Sequence, residues 1–271
     1  MMSDRVLGDH EIQQFIEEGY VCVKQAIDPE TVTKGLAGLK AKTGIVPDDS
    51  STWPKGERYI NMNKRWEGDP LHTKLKSMDH TICVTPRLVN AARELAGADV
   101  VLQRMSPAMS LPEPGPRVHD PRGMHIDKVV MGITMYPEVT HLTALGYLTD
   151  TLEYGGALTV FPGSHRKVFE YALGLSEEIA DDIRSNGIPD IDYGNTVAAT
   201  GEAGDVILFH HLMIHSASAN RGDWVRVGVR GEVRLPTDLE YEPRLGPPQE
   251  DWLPIDWTLR TDNLEKDSEP A

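Results

Sequence analysis

Gly201-Glu202-Ala203-Gly204-Asp205-Val206-Ile207-Leu208-Phe209-His210-His211-Leu212-Met213-Ile214-His215 is a turn that runs into an apolar stretch closed by histidines. Gly and Asp supply the turn, and the apolar residues that follow, with no helical spacing, read as a buried strand over 206–214. Similar short runs, β-branched or apolar, stand at 100–102, 129–135, 142–148, 157–161, 197–199 and 225–233, each set off by Gly, Pro, Asp or Asn. One helix is expected among them, capped by Ser176 and running through Ile179 and Ile183 to Gly187.

Upstream the period changes to that of helices. Asp9 is a candidate cap for a helix with Ile12, Phe15 and Ile16 on one face, stopped by Gly19 before a strand at 20–23. Asp28-Pro29-Glu30 opens a second helix carrying Val32, Leu36 and Leu39. Thr85-Pro86 opens a third, with Leu88, Ala92 and Leu95, closed by Gly97. Residues 43–70 lack periodicity and read as a long covering loop with Trp53 and Trp66. Helices followed by seven or more strands predict a mainly β fold with flanking helices, a barrel or sandwich, and not a βαβ protein.

The 271 residues suit a single domain with a helical part at about 1–98, a β core at about 99–235 and an extension at 236–271. The two cysteines, Cys22 and Cys83, have no metal-site spacing, so neither disulfides nor a thiolate metal centre are indicated. The net charge of −15, without a Lys/Arg block, argues against a nucleic-acid partner. No run reaches the roughly 18–20 apolar residues of a membrane span. Met1–Arg5 lead straight into charge with no apolar signal core, so a soluble, cytoplasmic protein is expected. Oligomeric state has no signature here.

His125-Ile126-Asp127 would set an imidazole and a carboxylate on one face of a strand, with Ile126 packed behind. Alone the triplet is weak, because a chain with 10 His and 42 acidic residues yields one by chance. About ninety residues on, two-residue periodicity places His211, Met213 and His215 on one face of the apolar strand, and histidines in such a strand need partners. Two His and one carboxylate, with open coordination positions, suit Fe(II) in oxygen-using enzymes; a catalytic zinc site uses the same ligand types. Asn220-Arg221-Gly222-Asp223 reads as a hairpin turn, and the returning strand alternates Val with Arg226, Gly228 and Arg230. This aims Arg226 at the His215 side, where a buried guanidinium matches a carboxylate of a dicarboxylic co-substrate.

These residues resemble the phytanoyl-CoA dioxygenase family of Fe(II)/2-oxoglutarate oxygenases, over roughly residues 9–234. The resemblance rests on Phe15-Ile16-Glu17-Glu18-Gly19-Tyr20-Val21, His125-Ile126-Asp127, Gly155-Gly156-Ala157-Leu158, Phe161-Pro162-Gly163-Ser164-His165, and Gly204 through His215 with Asn220. Arg226, eleven residues after His215, matches the family's spacing for its co-substrate arginine. The resemblance implies a double-stranded β-helix, a jelly-roll or cupin-like barrel, with Fe(II) on His125, Asp127 and His215 and 2-oxoglutarate and O2 as co-substrates. It implies a structural role for His165. The family's serine two residues after the distal His is Ala217 here, so Ser216 or Ser218 is the expected substitute, Ser218 being taken as co-substrate-binding. Gln103 is the candidate for the metal-bound end of 2-oxoglutarate. With Asp127 present, halogenation is not expected.

The reaction so implied is hydroxylation, or another oxidation, of an unactivated C–H bond in a small molecule, with release of succinate and CO2. The competing readings are a cupin-like metal-binding or sensing protein, which has no need of Arg226, and a zinc hydrolase, for which no general base is evident. Residues 43–70, 166–195 and 239–260 are the expected pocket walls. Trp53, Trp66, Trp252 and Trp257 either line the pocket or pack those segments down. Arg104, Arg117 and Arg122 are candidates for receiving an acidic substrate group.

Overall fold

A computed structural model of the chain describes residues 5–55, 59–61, 83–97, 99–102, 105–126, 140–173 and 188–234. Local signals start and stop the helices. Helix α1 (Asp9–Glu18) is capped by Gly8, one residue before the expected Asp9, because Glu11 returns its carboxylate to the Gly8 N–H. Asp28 accepts from Thr31 N to open α2 (Pro29–Thr43), and Thr85 from Leu88 N to open α3 (Pro86–Ala96). All three end on a left-handed glycine: Gly19, Gly44 and Gly97.

Among the described residues ten strands form two antiparallel sheets. The long sheet runs in the order β1 (Tyr20–Val23), β8 (Val206–His210), β5 (Thr140–Tyr147), β10 (Arg226–Arg234), β3 (Met105–Ser110), β2 (Tyr59–Asn61). The short sheet runs β4 (Pro121–His125), β9 (His215–Ser218), β6 (Leu158–Val160), β7 (Val197–Ala199). Alternation gives each strand of the long sheet two destinations. Val206, Leu208, Val227 and Val229 face the helices and form a large apolar core with Phe15, Leu39 and Leu88. Leu145, Tyr147, Ile207 and Phe209 face the short sheet and meet Leu158 and Val160. Tyr147, fully buried, ties the sheets together. Its hydroxyl donates to Ala199 O (2.7 Å) and accepts from Leu158 N (3.1 Å), and burial pushes its pKa up to about 12. Two facing sheets with helices outside the longer one make the double-stranded β-helix that was expected.

Several expected boundaries differ. The strand expected at 100–102 reduces to a bridge at Val101; the strand lies at Met105–Ser110. Pro107 and two serines disguised it. Residues 59–61 of the expected loop are strand, and the Phe161–His165 turn launches a helix, α4 (Ser164–Leu173), that was not foreseen. The expected strand over 206–214 stops at His210. There the His210 carbonyl accepts from Met213 N (2.9 Å) and its Nδ1 accepts from Leu212 N (3.0 Å), turning the chain out of the long sheet. Nor do residues 220–223 make a hairpin: β9 pairs with β4 and β6, β10 with β3 and β5, so the chain crosses between sheets. Asn220 pins the crossing, donating to Ser110 O and Trp224 O (both 2.8 Å). The helix expected at 176–187, the strand at 129–135 and the extension at 236–271 lie outside the described residues.

His165 wedges between α1 and β8, 1% exposed, its Nε2 donating to Ile16 O (3.2 Å) and its ring 5.1 Å from that of His210. Burial pushes its pKa down from 6.5 to about 4, against the pull of that carbonyl. Between these values the unfolded chain binds more protons than the folded one, so stability rises with pH across that window and is lost on acidification. Urea unfolding at pH 7 and pH 4.5 is expected to show roughly 2–3 kcal/mol of loss that His165→Gln removes.

Candidate active site

The two candidate histidine ligands lie on adjacent strands of the short sheet, and their register is unusual. Pro121 pairs with Ser218 and Arg122 with Ala217, but the next pair is His125 with His215. Two residues of β4, Gly123 and Met124, therefore stand opposite Ser216 alone. This is a β-bulge with Gly123 at φ +65°, a left-handed conformation that favours glycine. Without the extra residue Met124 would face His215; with it, His125 does. The ring centroids lie 4.5 Å apart.

Both rings are oriented by the same device. His125 Nδ1 lies 2.8 Å from Gly123 O, and His215 Nδ1 2.9 Å from Met213 O. A carbonyl only accepts, so each Nδ1 carries a proton, which leaves Nε2 as the ring nitrogen that would hold a metal ion. Behind them Ile126, Leu212 and Ile214 form an apolar cluster with Val168 and Tyr193, as expected for Ile126. Phe209, from the long sheet, sets its ring 4.7 Å from that of His215. This donor set fits Fe(II); Asp127 and Gln103 lie outside the described residues.

Arg226 begins β10, opposite Ser110, and is 2% exposed. Its Nε donates to Gly156 O (3.0 Å) and its Nη1 to Ala108 O (3.2 Å). These carbonyls fix the plane of the guanidinium. Gly156 has φ +80°, and a Cβ there would press on Ser110 and Asn220, so the carbonyl that orients Arg226 depends on glycine. Along β9 the inner face carries His215 and the partly exposed Ala217. Alternation turns Ser216 and Ser218 to the other face, where the Ser218 hydroxyl donates to Ala157 O (3.1 Å).

The expected sharing of a face by His211 and His215 fails because of the turn at His210; the His211 ring stacks on that of His210 at 4.4 Å. His119 meets Thr159 Oγ1 at 2.8 Å. Arg117 and Arg122, expected as receivers of a substrate anion, are held in ion pairs at the surface. Arg117 pairs with Asp223, and Arg122 with Asp120 (2.7 Å) and Glu113 (3.1 Å). Trp53 packs on the core and donates to Val46 O, a packing role. Arg104, the His141 side chain, Trp66, Trp252 and Trp257 lie outside the described residues. Sequence reasoning missed the bulge at Gly123 and the orienting carbonyl of Gly156.

The family model described as phytanoyl-CoA dioxygenase matches residues 15–228. An ectoine dioxygenase of Bordetella parapertussis is 28% identical over 239 residues, which is 82% of this chain and 74% of the relative. Its counterpart in Bordetella bronchiseptica is 27% identical over the same shares. Among solved structures, the non-haem α-ketoglutarate-dependent carbocyclase SnoK from nogalamycin biosynthesis is similar with a TM-score of 0.55 and 22% identity, over 89% of this chain and 96% of that one. EctD from S. alaskensis with bound Fe gives 0.54 and 19%, over 93% and 85%. Fold and relatives together define an Fe(II)- and 2-oxoglutarate-dependent oxygenase, with O2 as second co-substrate. Within that class, the chain belongs to the phytanoyl-CoA dioxygenase family. The sensing-protein alternative is not favoured. Among the described residues no helix is long and apolar enough to cross a membrane.

Gly123→Ala tests the bulge. A Cβ there meets nothing within 4 Å, so the substitution acts through φ alone. It is expected to cost about 1–2 kcal/mol in that conformation and to weaken Fe(II) binding, measured by anaerobic metal titration, by about tenfold as His125 loses its register. Unchanged metal affinity would show that the bulge does not set the ligand geometry.

Proposed function

We propose that the chain oxidises an unactivated C–H bond of a small molecule, with His125, Asp127 and His215 holding Fe(II) and Arg226 holding the far carboxylate of 2-oxoglutarate. The observation that carries this reading is the opposition of His125 and His215 in one ladder, each with Nδ1 tied to a carbonyl, facing the sheet that carries buried Arg226.

When bound, the iron supplies oxygen activation coupled to the oxidative decarboxylation of 2-oxoglutarate to succinate and CO2. The chain's own residues supply placement. Gly123 O and Met213 O hold both imidazoles in the ligating tautomer throughout turnover. Arg226, fixed by Gly156 O and Ala108 O, presents its charge in a preset plane and so selects one orientation of a dicarboxylate. Ala217, on the inner face where a serine is otherwise expected, leaves that carboxylate more dependent on Arg226. Gln103 is assigned to the metal-bound end of the co-substrate, and Ser218 to anchoring β9 on Ala157. The apolar cluster of Ile126, Leu212 and Ile214 keeps water from the outer side of the ligands. We take residues 1–271 as one catalytic unit and the cytoplasm as its compartment, where Cys22 and Cys83 stay thiols.

Succinate release by the iron-loaded protein, screened over small molecules beginning with ectoine, tests this reading. Formation that depends on oxygen is expected, with a loss of about a hundredfold or more in Asp127→Ala and His215→Ala. Arg226→Lys, which keeps the charge but loses the fork, is expected to raise the KM for 2-oxoglutarate about tenfold with a smaller change in kcat. Succinate formation that survives in His215→Ala would contradict the assignment.

A further inference from the structure

Two connections cross between the sheets side by side at the end of the barrel where Arg226 sits. Residues 111–120 carry the chain from β3 to β4, and residues 219–225 carry it from β9 to β10. The first leads from Ser110, opposite Arg226, to the strand that holds His125. The second leads from the strand that holds His215 to Arg226 itself. Main-chain bonds join the two, Glu113 N donating to Asn220 O and Ala219 N to Asp120 O (both 2.9 Å).

Arg221 stands at this junction, its side chain 10% exposed. Its Nη2 donates to the Asp120 carboxylate (2.7 Å). Its Nη1 donates to Pro114 O and to Glu113 O (3.5 Å), with Glu113 Oε2 at 3.8 Å. The guanidinium lies against Gly115, where a Cβ would come within 2.7 Å of its Cζ, and Gly115 has φ +148°, so the seat requires glycine. The Arg221 main-chain N–H donates to Tyr154 O (2.6 Å), two residues before the Gly156 carbonyl that orients Arg226. One residue thus touches the connection that leads into the His125 strand and the turn that supplies an acceptor to Arg226. The neighbouring pairs, Arg117 with Asp223 and Arg122 with Asp120, are more exposed, and exposed pairs contribute little.

We propose that Arg221 is a positioning residue for 2-oxoglutarate: it locks the two connections together and so fixes Arg226 against the metal-binding strands. This rests on Arg226 taking the far carboxylate while His125 and His215 hold the metal, as proposed above. A dicarboxylate that must reach both ends at once depends on the span between them, because a forked guanidinium–carboxylate pair tolerates little displacement. A ligand that touches only the metal end does not. The opposition of His125 and His215 rests on the β4–β9 ladder and its bulge, neither of which includes Arg221. Loss of the Arg221 fork therefore acts at the far carboxylate rather than at the metal.

Anaerobic titration of the Fe(II)-loaded full chain tests this with 2-oxoglutarate and with 2-oxobutyrate, which keeps the metal-chelating end and lacks the far carboxylate. The unsubstituted protein is expected to prefer 2-oxoglutarate by about a hundredfold. In Arg221→Gln that preference is expected to fall about tenfold, while the Kd values for 2-oxobutyrate and for Fe(II) stay within about twofold of the unsubstituted protein. Gly115→Ala, which displaces the guanidinium and keeps its charge, is expected to narrow the preference in the same direction. Should Arg221→Gln fail to fold, Arg221→Lys, which keeps the charge and loses the fork, carries the test with a narrowing of about threefold or more. Equal weakening of both 2-oxo acids marks general loosening and overturns the proposal; so does an unchanged preference in the folded variant. An unsubstituted protein that does not distinguish the two 2-oxo acids would overturn the assignment of Arg226 beneath it, and the proposal with it.

Discussion

His125 and His215 face one another because Gly123 and Met124 together occupy the space opposite Ser216. The arrangement needs a left-handed residue in β4, a carbonyl from that same residue to orient the His125 ring, and a strand β9 freed from the long sheet. Each requirement has a local cause, in glycine at 123, in the Nδ1 contact, and in the turn that His210 makes with its own ring. Shifting the ladder by one residue would turn one of the two rings away.

The division of strands between two sheets does the rest. The short sheet brings the imidazoles, and the long sheet brings Phe209 against them and Arg226 on its inner face. Tyr147 bonds the sheets to one another through Ala199 and Leu158, while Asn220 pins the crossing that carries the chain from β9 into β10. Arg226 therefore reaches its place by crossing the barrel, with Gly156 beside the short sheet and Ala108 in the long sheet each contributing a carbonyl.

Much of this was legible in the sequence where the signal is local. Asp28-Pro29 and Thr85-Pro86 announce helices because cap and proline act on adjacent residues, and each terminating glycine acts within the last turn that it closes. The alternation of Val with Arg226, Gly228 and Arg230 predicts which way each faces, since a strand has no other choice. What stayed hidden depends on partners distant in sequence. The apolar run through Ile214 looks continuous, and only pairing with different sheets divides it at His210. Strand β3 carries Pro107 and two serines, Ser106 and Ser110 standing opposite Arg230 and Arg226 of β10, so it lacks the apolar alternation of a half-buried strand. The bulge at Gly123 has no signature in Pro121-Arg122-Gly123-Met124-His125; it exists only against β9. The candidate ligands were readable as a motif, but the reason that two of them meet was not.

The most direct measurement is the visible spectrum of the metal-free protein titrated with Fe(II) and then 2-oxoglutarate without oxygen. The account predicts a weak charge-transfer band that requires both additions and fades in Arg226→Ala. Protein shown to bind iron that gives no such band would contradict the claim that these strands assemble a co-substrate site around the metal.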